Sequence, residues 1–140
     1  MNNHTIHLKI ATPDRVVYDD IIERVTIPTQ SGEITVLPFH IPMISVVKPG
    51  ELRIVKDSIV LPHYVAGGTV EIRPDNTIVL LADVAENAEN IDSEAAEQAY
   101  QRAKEAMERK DNVADVDFAK FQAIMDRELS RMNVAKKWKK

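Results

Sequence analysis

From Thr5 to about Asp83 the apolar residues recur in short runs of period two: Ile6, Leu8 and Ile10, then Val70 and Ile72, then Ile78 and Leu80. An extended chain sends successive side chains to opposite faces, so these runs predict strands with one face buried. Punctuation separates them at TPD (12–14), TQSGE (29–33), LPFHIP (37–42), KPGE (48–51), KDS (56–58) and RPDN (73–76), and the adjacent Asp19 and Asp20 read as a further turn. Turns about 8–12 residues apart, with no helix-length segment to supply a parallel crossover, predict antiparallel sheets closed as a sandwich or barrel. A doubly wound α/β fold is disfavoured.

The pattern changes after VAENAEN (84–90), which reads as a linker between a β domain over 1–86 and a helical domain over 90–140. The segment Ile91–Lys110 is rich in helix formers and lacks Pro and Gly. Asp92 is placed to cap its start, with Arg109 and Lys110 at the negative end of its dipole. Its stripe of Ala96, Ala99, Tyr100, Ala103 and Met107 is narrow and mostly Ala, which permits close approach of another helix. After DNVAD (111–115), a second helix is predicted over about 116–137, capped by Asp115 or Asp117. Its stripe is Phe118, Phe121, Met125, Leu129 and Met132, so large side chains would face small ones across an αα-hairpin. A hairpin with two thin apolar faces is weakly held, whether folded down or extended.

The sequence has 140 residues and no Cys, which excludes disulfides, thiolate nucleophiles and Cys-ligated metal centres. No apolar run approaches the roughly 18 residues of a membrane span, and no export signal is recognisable after Met1. The formal charge of −4 is unevenly spread. Residues 1–90 carry seven Lys or Arg against twelve Asp or Glu, whereas residues 120–140 carry seven against two. A basic helix end complements the dipole, and it also suits an acidic partner surface. An otherwise acidic chain without a basic sheet face or paired strand aromatics argues against nucleic acid.

Little chemistry is visible. His4, His7, His40 and His63 lack the spacing of a zinc site and read as surface or turn residues. Ser45, His40 and Asp83 have no nucleophile elbow to support a triad. Gly67 and Gly68 precede no phosphate-loop Lys and read as a bulge or a close approach of strands. Trp138, inside KKWKK, reads as part of a frayed end. No catalytic residue and no metal is expected.

Two segments carry a resemblance. SGEITVLPFHIPMISVVKPGELRI (31–54) shows Gly-Glu, Leu-Pro, a His-x-Pro loop and Pro-Gly-x-x-Arg-Ile, and VAGGTVEIRPDNTIVLLAD (65–83) shows a Gly-Gly pair and a final Leu-Ala-Asp. Followed by ENIDSEAAEQA and ADVDFAKFQAIMDRELSRMNV, they are similar to the epsilon subunit family of F-type ATP synthases over nearly the whole chain. The family has Gly where Thr35 and Phe39 stand here, so an altered loop surface is expected around His40, with Phe39 adding an apolar contact.

The resemblance implies a β-sandwich that binds the gamma subunit and the c-ring, followed by a regulatory helical hairpin. It places the chain in the central stalk at the cytoplasmic face of a bacterial membrane, or in an organelle equivalent. Glu33 and His40, expected in loops at one end of the sandwich, become the candidates for ring contact. An extended hairpin would bring Arg127, Arg131, Lys136 and Lys137 to acidic surfaces of alpha or beta and restrain ATP hydrolysis. Some relatives bind ATP through an Ile-or-Leu-Asp-x-x-Arg-Ala motif. Ile91, Asp92 and Ala96 match it, with Arg127 and Arg131 as further candidates, but Ala95 replaces its Arg. No bound cofactor is therefore expected. The competing readings are a nucleotide-sensing module built on the hairpin and a standalone β-sandwich that binds another protein.

Overall fold

The computed structural model describes residues 4–109 and 115–138. The chain divides into two compact units, Met1–Ala88 and Glu89–Lys140.

The first unit holds β1 (Ile6–Ala11), β2 (Val16–Ile22), β3 (Arg24–Thr29), β4 (Gly32–Val36), β5 (Met43–Val46), β6 (Gly50–Lys56), β7 (Ile59–Ile72) and β8 (Thr77–Asn87). Hydrogen bonding follows the order β2-β1-β8-β7-β6-β3-β4, with β5 also on β7. The expected punctuation marks the strand junctions, although Thr29, Gly32, Glu33, Gly50, Glu51 and Lys56 of it are taken into strands, and the two-residue turn at Asp57 and Ser58 has positive φ at both positions (52° and 63°). Two residues with φ above zero match the twist of a hairpin, which explains a turn this short.

The two longest strands each serve both layers. β7 pairs with β6 through Ile59–Val65 and with β5 through Thr69–Ile72, while β8 accompanies it and pairs with β1 through Thr77–Leu81. Gly67 and Gly68 sit at the changeover with φ of +64° and +130°. A Cβ on Gly68 would stand 1.8 Å from the Leu81 carbonyl oxygen, and one on Gly67 2.5 Å from Asp83 Oδ2. Register is the same on both sides, with Ala66 opposite Val84 and Gly68 opposite Ala82. Of the two readings of this pair, close approach of strands is therefore the one observed, without a bulge.

Inward side chains of both layers form one core, with Leu8, Ile10 and Ile22 joining Val25, Ile27, Leu52, Ile54, Val70 and Leu80. The period-two runs supply it because one-sided strands must bury that side against another layer.

Four expectations are corrected. β1 lies parallel to β8, so the sheets are not wholly antiparallel. No helical crossover is needed because the chain returns through the intervening strands. VAENAEN is not a linker throughout: Val84–Asn87 complete β8, with Asn87 opposite His63, and only Ala88–Asn90 form a short 3-10 turn. Asp19 and Asp20 lie within β2 rather than in a turn, held by His7 and by Lys56 respectively. His63 is buried in β7 rather than placed at the surface.

The second unit holds α1 (Ser93–Glu108) and α2 (Asp115–Trp138). Asp92 caps α1 as expected, its carboxylate accepting the Ala95 N–H at 3.0 Å. Arg109 is the C-cap residue, while Lys110 and most of the expected link lie outside the described residues. Since α2 begins at Asp115, both Asp115 and Asp117 sit within its first turn and neither is the cap, whose position lies outside the described residues. Trp138 is the last residue of α2 and half-buried, with Lys137 Nζ 5.4 Å from its ring centroid, so the frayed-end expectation fails there.

The apolar face of α2 is rotated from the expected stripe. Phe118 and Leu129 are exposed, whereas Glu128, Val134 and Ala135 are buried. Ala99 and Ala103 of α1 do share a groove with Phe121 and Ile124 of α2, which is the small-against-large packing expected.

Candidate partner-docking surface

The connection from β4 to β5 begins with a four-residue turn, in which the His40 N–H donates to the Leu37 carbonyl at 3.1 Å. Pro38 occupies the second position, and Phe39 the third with φ of +67°. This is the pattern of a type II turn, whose third position favours Gly because a Cβ costs about 1 kcal/mol or more at positive φ. Phe39 is held there by a second bond: its N–H donates to Asn76 Oδ1 at 2.7 Å. His40 donates from Nδ1 to the Ile41 carbonyl oxygen at 2.7 Å.

The result is an apolar rim within eight residues: Leu37 is 53%, Phe39 67%, Ile41 72% and Ile44 71% exposed. Such side chains in water are unfavourable for a free chain and suited to burial on a partner.

Glu33 does not share this rim. It is the second residue of β4, opposite Pro28 and beside the β3–β4 turn, whereas His40 lies beyond the other end of that strand. The expectation of two loop residues at one end is thus corrected: Glu33 lies within β4, which sets it and His40 at opposite ends of the strand. Glu33 is bound by Arg53, whose Nη2 donates to Oε1 at 2.9 Å and Nη1 to Oε2 at 3.4 Å, and Arg53 also meets Glu51 at 3.3 Å. These carboxylates push the Arg53 guanidinium pKa further up, Glu33 being the main cause. Thr35 bonds through its hydroxyl to that of Thr26 at 3.0 Å across the β3–β4 pair.

Among the hairpin candidates, Ile91 is buried and Asp92 is engaged as the helix cap. Glu128, which sequence reasoning missed, is buried on α2 and collects the two arginines: Arg131 Nη1 lies 2.6 Å and Arg127 Nε 3.4 Å from its carboxylate oxygens. Its spacing from Arg131, three residues on a helix, was the available signal. Lys136 and Lys137 remain exposed. The structure brings the arginines together through Glu128 and leaves Asp92 at the other helix's start.

His63 and Tyr18 meet inside the sandwich, and Tyr18 Oη is buried without a hydrogen-bond partner. Burial holds the His63 pKa below the ordinary histidine value and, with Asp20 second, raises that of Tyr18. Among the described residues no group of three or more His, Asp or Glu is arranged to hold a metal. No described helix is long and apolar enough to cross a membrane.

The model of the ATP synthase Delta/Epsilon chain β-sandwich domain matches residues 5–88, and that of the long α-helix domain of the same chain matches residues 89–136. The chain belongs to the ATP synthase delta/epsilon family. It is similar to the ATP synthase epsilon chain of Herpetosiphon aurantiacus, 38% identical over 131 residues covering 94% of each chain. The Bacillus subtilis epsilon chain is 41% identical over 133 residues, covering 95% of this chain and 98% of the relative. In fold it is similar to a chain of the Euglena gracilis mitochondrial ATP synthase structure comprising OSCP, F1 and c-ring, with TM-score 0.68 and 18% identity over 95% of this chain and 78% of that one. For this epsilon-type chain, the Phe39 turn keeps a glycine-type backbone while carrying a bulky apolar side chain.

Proposed function

We propose that this chain works as the epsilon subunit of a rotary ATP synthase, coupling ion flow through the c-ring to ATP synthesis without catalysis on its own residues. The observation that carries this reading is the pairing of both family domains, in order and over nearly the full chain, with an apolar rim at the 37–42 connection.

In this reading the sandwich binds gamma, and the rim contacts the c-ring with Phe39 and His40 as leading residues. Glu33, fixed by Arg53 at the opposite end of β4, belongs to a separate part of that contact. The protein sits at the membrane surface through the complex. The hairpin regulates: exposed Lys136 and Lys137, with Arg127 and Arg131 once freed from Glu128, would meet acidic alpha or beta surface when extended. ATP binds the hairpin weakly at most, because Ala95 offers no guanidinium and the carboxylate of Asp92 is already used.

The test is binding of the full chain to purified gamma, and its migration with alpha, beta, gamma and the c-ring after detergent solubilisation of the source membranes. Stable binding and co-migration are expected. A chain that binds no gamma and separates from the complex would overturn the reading and leave a free β-sandwich module in its place.

A further inference from the structure

Asn76 joins three parts of the sandwich. It ends the β7–β8 turn in a left-handed conformation with φ of +61°. Its backbone carbonyl accepts the His7 N–H at 2.9 Å, at the start of β1. Its side-chain Oδ1 accepts the Phe39 N–H at 2.7 Å, 37 residues away in sequence. Only the last of these bonds depends on the side chain.

A Gly at position 39 would adopt the turn conformation at no steric cost, and its amide would need no outside help. Phe39 is under strain, and relaxing its φ would swing the ring away from Leu37 and Ile41 and break up the rim. A rim that has to be ordered on contact binds more weakly than one already held, by the cost of ordering it. We propose that Asn76 is a positioning residue for the docking rim, holding Phe39 in the conformation that its partner, the c-ring end of the rotor, receives. This rests on the reading of the 37–42 connection as a ring contact. Asn suits the place on two counts, since it tolerates the left-handed region and carries a short acceptor.

The experiment uses the full chain in three variants. Asn76→Gly keeps the backbone conformation and the bond to His7 but deletes the acceptor, Asn76→Asp keeps an acceptor, and Phe39→Ala removes the ring. Two quantities are read: hydrogen exchange of the Phe39 amide by NMR, and affinity for a purified gamma–c-ring assembly. Asn76→Gly is expected to speed Phe39 exchange and weaken binding roughly three- to tenfold, as the loss of one neutral hydrogen bond implies, with the thermal midpoint unchanged. Asn76→Asp is expected to restore both. Unchanged exchange or unchanged affinity in Asn76→Gly, while Phe39→Ala binds weakly, would overturn the positioning role alone. A loss of affinity that tracks a lower thermal midpoint and is not rescued by Asp would also overturn it. Full affinity in Phe39→Ala would overturn the ring-contact reading, and the positioning role with it.

Discussion

The phenol ring of Tyr18 on β2 meets the imidazole of His63 on β7 edge-on, with centroids 5.8 Å apart and planes at 78°. The contact ties an edge strand to a central one. His63 is only 4% exposed; across the ladders it faces Leu52 of β6 and Asn87 of β8, and its Nδ1–H donates to the Leu61 carbonyl at 3.3 Å. The charged groups nearest this pair bear on Tyr18: Asp20 of the same strand, its partner Lys56, and Asp57. None of them offers His63 an anion of its own.

The sandwich should lose stability on mild acidification. The folded pKa of His63 lies below its ordinary value of 6.5, so the unfolded chain takes up a proton first. The contribution is complete above 6.5 and is lost as pH falls from there through the lower folded pKa. Asp20, whose pKa is lowered chiefly by its bond to Lys56, acts only further down, as pH falls below its ordinary 3.8. Denaturant titrations between pH 7.5 and 5 should show a falling midpoint in the wild type and a flatter dependence in His63→Phe. Equal slopes for the two proteins would refute this assignment.

The glycine changeover should be intolerant of any side chain. Gly68→Ala would drive Cβ into the Leu81 carbonyl at 1.8 Å, and is expected to cost about 3 kcal/mol or more, enough to unfold a marginal domain. Gly32→Ala is the control: its φ is also positive at +110°, but nothing lies within 4 Å of the added atom. It should cost roughly 1–2 kcal/mol from backbone strain alone. Thermal unfolding of both variants measures the gap, and similar losses would mean that strain, not close approach, governs these sites.

The basic end of α2 should divide into two functions. Removing Arg127 and Arg131 leaves Glu128 buried without either guanidinium, so Arg127→Ala with Arg131→Ala should destabilise the hairpin by about 1–3 kcal/mol. Lys136→Ala with Lys137→Ala should leave helicity intact. If extension brings these lysines to alpha or beta, that pair of substitutions should raise ATP hydrolysis by the assembled complex, most at low ionic strength. Circular dichroism and steady-state hydrolysis at matched subunit content distinguish the pairs; unchanged hydrolysis in the lysine variant would end the electrostatic role of Lys136 and Lys137.

Much of the strand layout was legible because turn chemistry is local: Asp57-Ser58, the Pro74-Asp75 corner and the Asp92 cap each act through neighbouring backbone. What escaped depends on pairing across the chain. Pro62 made His63 look like a turn residue, yet the β7–β8 ladder begins only at His63, so Pro62 faces no β8 partner and a strand tolerates it there. Glu128 carries no mark in the apolar periodicity, which weighs residues singly. Paired with arginines it can be buried, which rotates the helix face away from Phe118 and Leu129. In the docking rim, Phe39 and His40 were readable as loop residues, whereas the bond from Asn76 spans 37 positions and has no local signature.

The parallel ladder between β1 and β8 has a consequence for how the chain folds. His7 pairs with Thr77 and Ala11 with Leu81, so the first strand cannot find its place until the eighth has been made. During synthesis β1 and its hairpin partner β2 must wait as a two-stranded ribbon, which is marginal by itself in water. Closure of that layer is a late, long-loop event, of the kind that makes β-rich domains fold in milliseconds to seconds and exposes their edges meanwhile. The first layer of the sandwich therefore cannot be completed until its C-terminal strand is in place.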